Sequence, residues 1–251
     1  MKPHISVITI NYNNRDGLAR TQRSLEAQSI WAPNTEWIVV DGGSTDDVQE
    51  IIDASKLENI HFLSSLDDGI YDAMNRGLAR CTGDWVLFLN SGDTLADENV
   101  LARLLVDISK RNSHQDVLVG DWISSFPKGE HYRKARSQRY LVHGLPGSHQ
   151  SILFPAHALA DFEYDTSYRV TGYYYICAWL LMANCNFILL HFAVSRFEMG
   201  GMSYSHPLAL IREAARVQRK VLGLNRLVVA CSIVIRIASI TRLRVKYSMQ
   251  S

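Results

Sequence analysis

The chain has 251 residues, 47% hydrophobic and 20% charged, with a net charge of +1; this balance suits one globular domain with an appendage and offers no global field for nucleic acid. Cys81, Cys177, Cys185 and Cys231 stand without CxxC spacing, which argues against a zinc or disulfide framework and for a reducing compartment. Residues 206–247 hold nine Lys or Arg and a single acidic residue, Glu213, leaving 17 basic against 24 acidic residues elsewhere, so an acidic body carries a basic tail.

"HISVITIN" (4–11) is rich in β-branched residues and reads as a buried first strand, its apolar run too short for a secretion signal. "RDGLARTQRSLEAQ" (15–28) predicts a helix with Leu18, Thr21, Gln22 and Leu25 on one side. "EWIVVD" (36–41) is a second strand, and "DDVQEIIDAS" (46–55) a helix capped by Ser44 or Thr45. "IHFLSS" (60–65), "IYDAMNRGLARC" (70–81) and "DWVLFLN" (84–90) continue as strand, helix, strand. "ENVLARLLVDISKR" (98–111) spaces Val100, Leu101, Leu104, Leu105 and Ile108 helically, and "DVLVGDWISSF" (116–126) is a fifth strand. Such alternation predicts a mainly parallel sheet with helices on both faces. Beyond it, "FPKGEHYRKARSQRY" (126–140) reads as a basic loop and "GLPGSHQSILFP" (144–155) as a turn-rich lead-in to a short strand. "TGYYYICAWLLMANCNF" (171–187) reads as an apolar helix and "FILLHFAVSRF" (187–197) as a strand.

In such sheets ligands bind beyond the carboxyl ends of the strands. The four exits are Asn11-Tyr12-Asn13, Asp41-Gly42-Gly43-Ser44, Asp67-Asp68-Gly69 and Asn90-Ser91-Gly92-Asp93. One acidic exit is commonly a turn or a cap. Several on one edge repel one another unless a cation sits among them, and oxygen ligands suit Mg2+ or Mn2+. GxGxxG, GxxxxGK[ST], GxSxG and HExxH are all absent, so a glycine-loop nucleotide site is not expected.

Together "ISVITINYNN", "EWIVVDGGSTDDVQEII" and "DDGIYDAMNRGLARCTGDWVLFLNSGDTL" resemble the opening of a family 2 glycosyltransferase of the GT-A fold. The overall flavour is similar to small transferases of bacterial exopolysaccharide clusters, of the colanic acid type. The resemblance is densest over 4–95 and continues more weakly to about 201. It implies an α/β, Rossmann-like GT-A domain over 1–205, a mainly parallel mixed sheet flanked by helices, followed by a helical tail over 206–251. It also implies that Thr9, Asn11 and Tyr12 line the nucleobase and ribose end, and that Asp41 accepts from a base N–H. Asp67, Asn75 and Arg76 would lie near the diphosphate and donor sugar. Ser91, Gly92 and Asp93 would occupy the family's "DXD" place, with Asp93 on a divalent cation, Mg2+ or Mn2+. Such a cation stabilises a leaving diphosphate as a Lewis acid. Here the first ligand position of that motif is not a second carboxylate.

"GSHQSILFP" and "FEYDTSYRVTGYYYICAWLL" are similar to the family's acceptor-side segments, with His149 and Gln150 matching the first and Tyr164, Asp165 and Tyr168 the second. The family's Asp general base falls on Tyr173. Tyr, with an ordinary pKa of about 10, is a poor base at neutral pH. Three readings stand: Asp165, Glu163 or His149 takes the proton; the match slips by several residues; or catalysis is weakened or lost. "FEMGGMS" (197–203) resembles the family's closing loop.

In the tail, 207–222 reads as a helix bearing Arg212, Arg216, Arg219 and Lys220. Residues 224–246 are apolar, with Arg226, Arg236, Arg242, Arg244 and Lys246, and "LVVACSIVI" runs only nine residues before Arg236. That is too short to span a bilayer, and fits an interfacial helix reaching anionic head groups or one packed on the protein's own core. The expectation is an inverting, metal-dependent glycosyltransferase. Its donor is a nucleotide sugar, UDP ahead of GDP, and its acceptor a polyprenyl-linked glycan of exopolysaccharide biosynthesis. It is expected in the cytoplasm, peripheral at the inner face of the cytoplasmic membrane and bound to the anionic surface through the tail, with no nucleic acid partner. The rivals are a nucleotide- or glycan-binding protein with a degenerate site, and a nucleotidyltransferase. The latter class opens on a glycine-rich stretch, where this chain has Asn11 to Asn14.

Overall fold

The structure is a computed structural model that describes residues 5–31, 35–111, 115–126, 129–198 and 205–248, the side chains of 243–248 excepted. Four parallel strands lie in the order β3 (Ile60–Ser64), β2 (Thr35–Asp41), β1 (Ile5–Asn11), β4 (Trp85–Phe88). β1 and β2 are buried on both faces. Ile8, Ile38 and Val40 enter one core with Tyr71 and Met74 of α3 (Ile70–Leu78). Ile5, Val7, Trp37 and Val39 enter the other, with Leu18 and Leu25 of α1 (Arg15–Glu26) and Leu101 and Leu104 of α4 (Val100–Ser109). α2 (Val48–Asp53) closes the same side through Val48. In-register pairing sets Asn11 beside Asp41 at the carboxyl edge.

Past β4 the sheet is mixed. β8 (Ile152–Pro155) pairs antiparallel with β4 and with β6 (Asp116–Phe126), while β9 (Asn186–Glu198) runs parallel to β6. The two-residue β5 (Thr94–Leu95) closes on β9. α5 (Gly172–Met182) lies against the first core. The basic loop expected at 126–140 contains instead a hairpin strand, β7 (Gly129–Arg133), antiparallel to β6, and a short 3-10 helix at 138–142. β7 carries no apolar alternation because it is a polar sheet edge. What holds it is its ladder with β6 and the Tyr132 hydroxyl, which donates to Asp121 at 2.7 Å.

The tail forms α6 (Pro207–Lys220) and α7 (Arg226–Ser248). α6 buries Ala214 and Val217 in the first core. Gln218 donates to the Val142 carbonyl at 2.7 Å and to Ser232 of α7 at 2.6 Å. α7 thus turns Val229 and Ser232 inward and leaves Leu227, Val234 and Ile237 exposed. No helix among the described residues is long and apolar enough to cross a membrane.

Candidate active site

All four polar strand exits lie along one edge of the sheet, but their side chains are not equally available. Asp41 is fully buried and accepts from Asn11 Nδ2 (2.8 Å), Ser64 Oγ (2.8 Å) and the Ser44 N–H (2.9 Å). Burial acts to raise its pKa, yet hydrogen bonds from Ser44, Asn11 and Ser64 outweigh that and hold it below the ordinary carboxylate value. Asp41 is therefore a clasp for the 41–44 turn. The open acceptor at this spot is Asn11 Oδ1, which is buried without a donor. Thr9 is also fully buried, its hydroxyl donating to the Leu89 carbonyl (2.7 Å) and accepting from Trp37 Nε1 (2.8 Å), so it braces the core instead of lining a nucleobase site. Tyr12, 66% exposed, and Asp67 flank Gly42. A Cβ at Gly42 would stand 2.7 Å from Asp67 Oδ2 and 3.2 Å from the Tyr12 ring, so glycine here lets the aromatic ring and the carboxylate both close on the turn.

Asn75 is committed elsewhere: its amide grips both backbone groups of Tyr164, at 2.8 and 3.0 Å. Arg76 is likewise spent on Ser65 Oγ and the Leu66 carbonyl (2.8 Å each) and on Asp72 (2.7 Å). Arg76 thus positions the third exit, and Asn75 ties α3 to the segment around Tyr164.

The fourth exit is pinned to α1. Thr21 Oγ1 accepts from the Gly92 N–H (3.0 Å) and donates to the Asp93 carbonyl (2.7 Å), and Ser91 Oγ donates to the Asn14 carbonyl (3.1 Å). Gly92 has φ +100°, a conformation other residues adopt only with strain. The turn presents Asp93 to a cleft of about 790 Å3. Gln150 Nε2 donates to Asp93 Oδ2 at 2.8 Å, which joins the fourth exit to the "HQ" segment. Burial pushes Asp93 up to about 7, Gln150 pulling it down and the charge of Glu198 adding to the rise. Asn90 Nδ2 donates to Tyr173 Oη at 2.9 Å and lies 3.3 Å from His149 Nε2, while Asn90 Oδ1 is buried without a donor. The His149 ring stacks on Tyr173, centroids 3.4 Å apart. Burial drives the His149 pKa down to about 3 and that of Tyr173 well above 10, so at neutral pH both rings are uncharged and neither is a ready base.

Of the three side chains named for the proton, only His149 lines this cleft. Asp165 points to α6, bound to Arg216 (3.0 Å) and the Ser167 N–H (2.9 Å). Glu163 lies in a separate groove with Asn75 and Phe162. The cleft's second carboxylate, beside Asp93, is Glu198 at the end of β9. It falls inside the "FEMGG" stretch, where the glycines drew the reading; Gly200 and Gly201 lie outside the described residues. Arg20, whose guanidinium approaches Gly92, also lines the cleft and carries no sequence signal beyond helical spacing, while Arg236 of α7, read in the sequence as a cation of an interfacial tail, lines it too.

Among the described residues no group of three His, Cys, Asp or Glu side chains is arranged to hold a metal. The fit rests on less: a recessed carboxylate on Asp93, and the donorless Asn90 Oδ1 three residues before it. Among the described residues neither pairs with a cation, and a hard cation satisfied largely by water and a diphosphate needs few protein oxygens.

A sequence model of glycosyl transferase family 2 matches residues 6–170. An uncharacterized glycosyltransferase of Mycobacterium tuberculosis is 41% identical over 107 residues, 43% of this chain and 40% of that protein, so the match spans less than half of that relative's length. Among solved structures, S. aureus TarS 1–349 in complex with UDP-GlcNAc superposes with a TM-score of 0.67 at 18% identity, over 92% of this chain and 70% of that one. A mannosyltransferase of Pyrobaculum calidifontis, in complex with GDP-Man and Mn2+, gives 0.68 at 12% identity, over 96% and 76%. At these identities the structures attest a shared GT-A-like α/β fold.

Proposed function

The chain belongs to glycosyl transferase family 2, and from that premise we propose that it transfers a sugar, with inversion, from a nucleoside diphosphate sugar to a hydroxyl of a lipid-linked glycan. The nucleobase lies at the exits of the first three strands, stacked on the exposed Tyr12 ring and donating to the Asp67 carboxylate beside it. Asn11 Oδ1 offers the neighbouring acceptor. The diphosphate reaches the Ser91–Asp93 turn, where the Arg20 guanidinium faces it. Asp93 would hold a divalent cation, which when bound would supply Lewis-acid stabilisation to the leaving diphosphate. Glu198, the remaining cleft carboxylate, takes the acceptor hydroxyl proton as that oxygen bonds to the anomeric carbon and the nucleoside diphosphate departs. One direct displacement inverts that carbon. His149 and Tyr173, neutral and stacked, fix Asn90 and close the cleft floor.

The single observation that carries this reading is Asp93, a recessed carboxylate on a turn beyond β4, in one cleft with Glu198 and beside a donorless amide oxygen. UDP is taken ahead of GDP. The opening motifs support a place in bacterial exopolysaccharide assembly, of the colanic acid type. The basic tail supports a peripheral seat for residues 206–251 on the anionic inner face of the cytoplasmic membrane, with the transferase body over 1–205. One observation favours a binding protein without turnover: Tyr173 stands where the family's base is expected.

Calorimetric titration of UDP and of GDP tests the donor site, with Mn2+ and with EDTA, into wild type and Asp93→Ala. Metal-dependent binding is expected, weakened about tenfold or more in the variant. Failure of the folded wild type to bind either nucleotide would overturn the assignment. Release of nucleoside diphosphate from a donor sugar in the presence of acceptor would exclude the binding-protein reading.

A further inference from the structure

The α7 end of the cleft is cationic. Arg236 is half-buried, donates to the His143 carbonyl and lies 6.0 Å from the Tyr174 ring centroid. Arg136, 4.1 Å above the Tyr140 ring, lines the same space. Among the described residues neither guanidinium makes a salt bridge to a carboxylate. Burial lowers the Arg236 pKa, the mark of a cation held partly out of water without an anion. Keeping a desolvated guanidinium unpaired is costly. Its planar fork matches a phosphate better than a single-atom acceptor. Next to this pair the cleft wall turns aliphatic, with Leu145, Leu210, Ile235 and Ile240. Ile235 and Ile240 lie on the same helix as Arg236, and the outer face of that helix is apolar and exposed.

We propose that this end of the cleft is a phosphate subsite, in which Arg236 and Arg136 bind the phosphate of an acceptor whose aliphatic chain lies on Leu145, Leu210, Ile235 and Ile240. The proposal rests on the transferase reading above and names the acceptor class: a phosphate ester on an aliphatic chain, with its sugar reaching toward Asp93 and Glu198. α7 is then part of the enzyme's acceptor wall as well as its contact with a surface.

The test uses the full chain and decyl diphosphate below its micellar concentration, with inorganic pyrophosphate, and UDP plus Mn2+, as separate ligands. Wild type should bind decyl diphosphate more tightly than pyrophosphate. Arg236→Gln should weaken that binding about tenfold or more, the usual scale for a lost charge-assisted pair, with UDP affinity unchanged. If Arg236→Gln fails to fold by circular dichroism, Arg136→Gln, altering an exposed side chain, gives the same reading. Equal binding by variant and wild type overturns the proposal, as does pyrophosphate binding as well as the decyl ester. Vesicles of phosphatidylglycerol competing as well as decyl diphosphate would also overturn it, assigning the cations to the membrane. Absence of UDP binding in wild type would instead strike the donor assignment, while the decyl diphosphate comparison still judges the subsite.

Discussion

Tyr173 occupies the place where the family resemblance puts a carboxylate base, and its surroundings turn it into a structural residue. Its hydroxyl accepts from Asn90, its ring stacks on His149, and its edge meets Tyr71 at 5.7 Å between centroids. Removing only the hydroxyl therefore leaves the proton path alone if Glu198 is the base. Tyr173→Phe is expected to keep kcat within about threefold, while Glu198→Gln lowers it by roughly 10²–10⁴ with KM little changed, the range for a lost general base. Steady-state kinetics on a UDP-sugar decide this, and the reverse order of effects would sink the assignment. At this scale the sequence revealed where chain segments leave the sheet, hence Asp93 and Asn90. It did not reveal which side chains were already satisfied. Asp41 and Thr9 look like ligands in a motif, and hydrogen bonds from residues over twenty positions away absorb them. Asp165 was drawn outward by Arg216, a partner 51 residues on.

Helix α5 shows how an element depends on a distant residue. Its N-terminal backbone N–H groups have no partners within the helix. Tyr71 Oη takes the first of them, the Gly172 N–H, at 2.8 Å, and Glu213 of α6 holds the turn leading into the helix, accepting from the N–H groups of Arg169, Val170 and the N-cap residue Thr171 at 3.0 Å each. A carboxylate there also meets the positive end of the helix dipole. α5 carries Tyr173 and Tyr174 into the cleft. Glu213→Ala should thus cost about 1–3 kcal/mol, seen as a lower denaturation midpoint at unchanged slope in urea. A midpoint equal to wild type would show that solvent caps α5 equally well. Apolar runs marked the buried strands and α5, and helical spacing marked the amphipathic helices, because burial selects apolar side chains wherever an element meets the core. β7 escaped since an exposed edge imposes none, and the cap escaped because Glu213 reads as one acid in a basic helix.

On the scale of the whole molecule, charge and apolar surface are divided between body and tail. Nine of the 26 basic side chains fall in 206–251, against a single acid there. α6 and the inner face of α7 are fastened to the body by Gln218, Arg216 and Arg236. Leu227, Val234 and Ile237 remain 79%, 66% and 48% exposed on the outer face, and a helix presenting apolar residues among cations suits an anionic lipid surface. On such a surface the body's excess of acid would be repelled, and the tail would orient the enzyme as well as hold it. Replacing Leu227, Val234 and Ile237 together with Ser should leave UDP binding intact, because none of them lines the cleft. Co-sedimentation with phosphatidylglycerol vesicles should fall sharply, and residual binding should weaken as salt screens the remaining charge. Unchanged sedimentation would mean that the apolar face meets something other than lipid, and the acceptor would then have to be delivered to the cleft from solution.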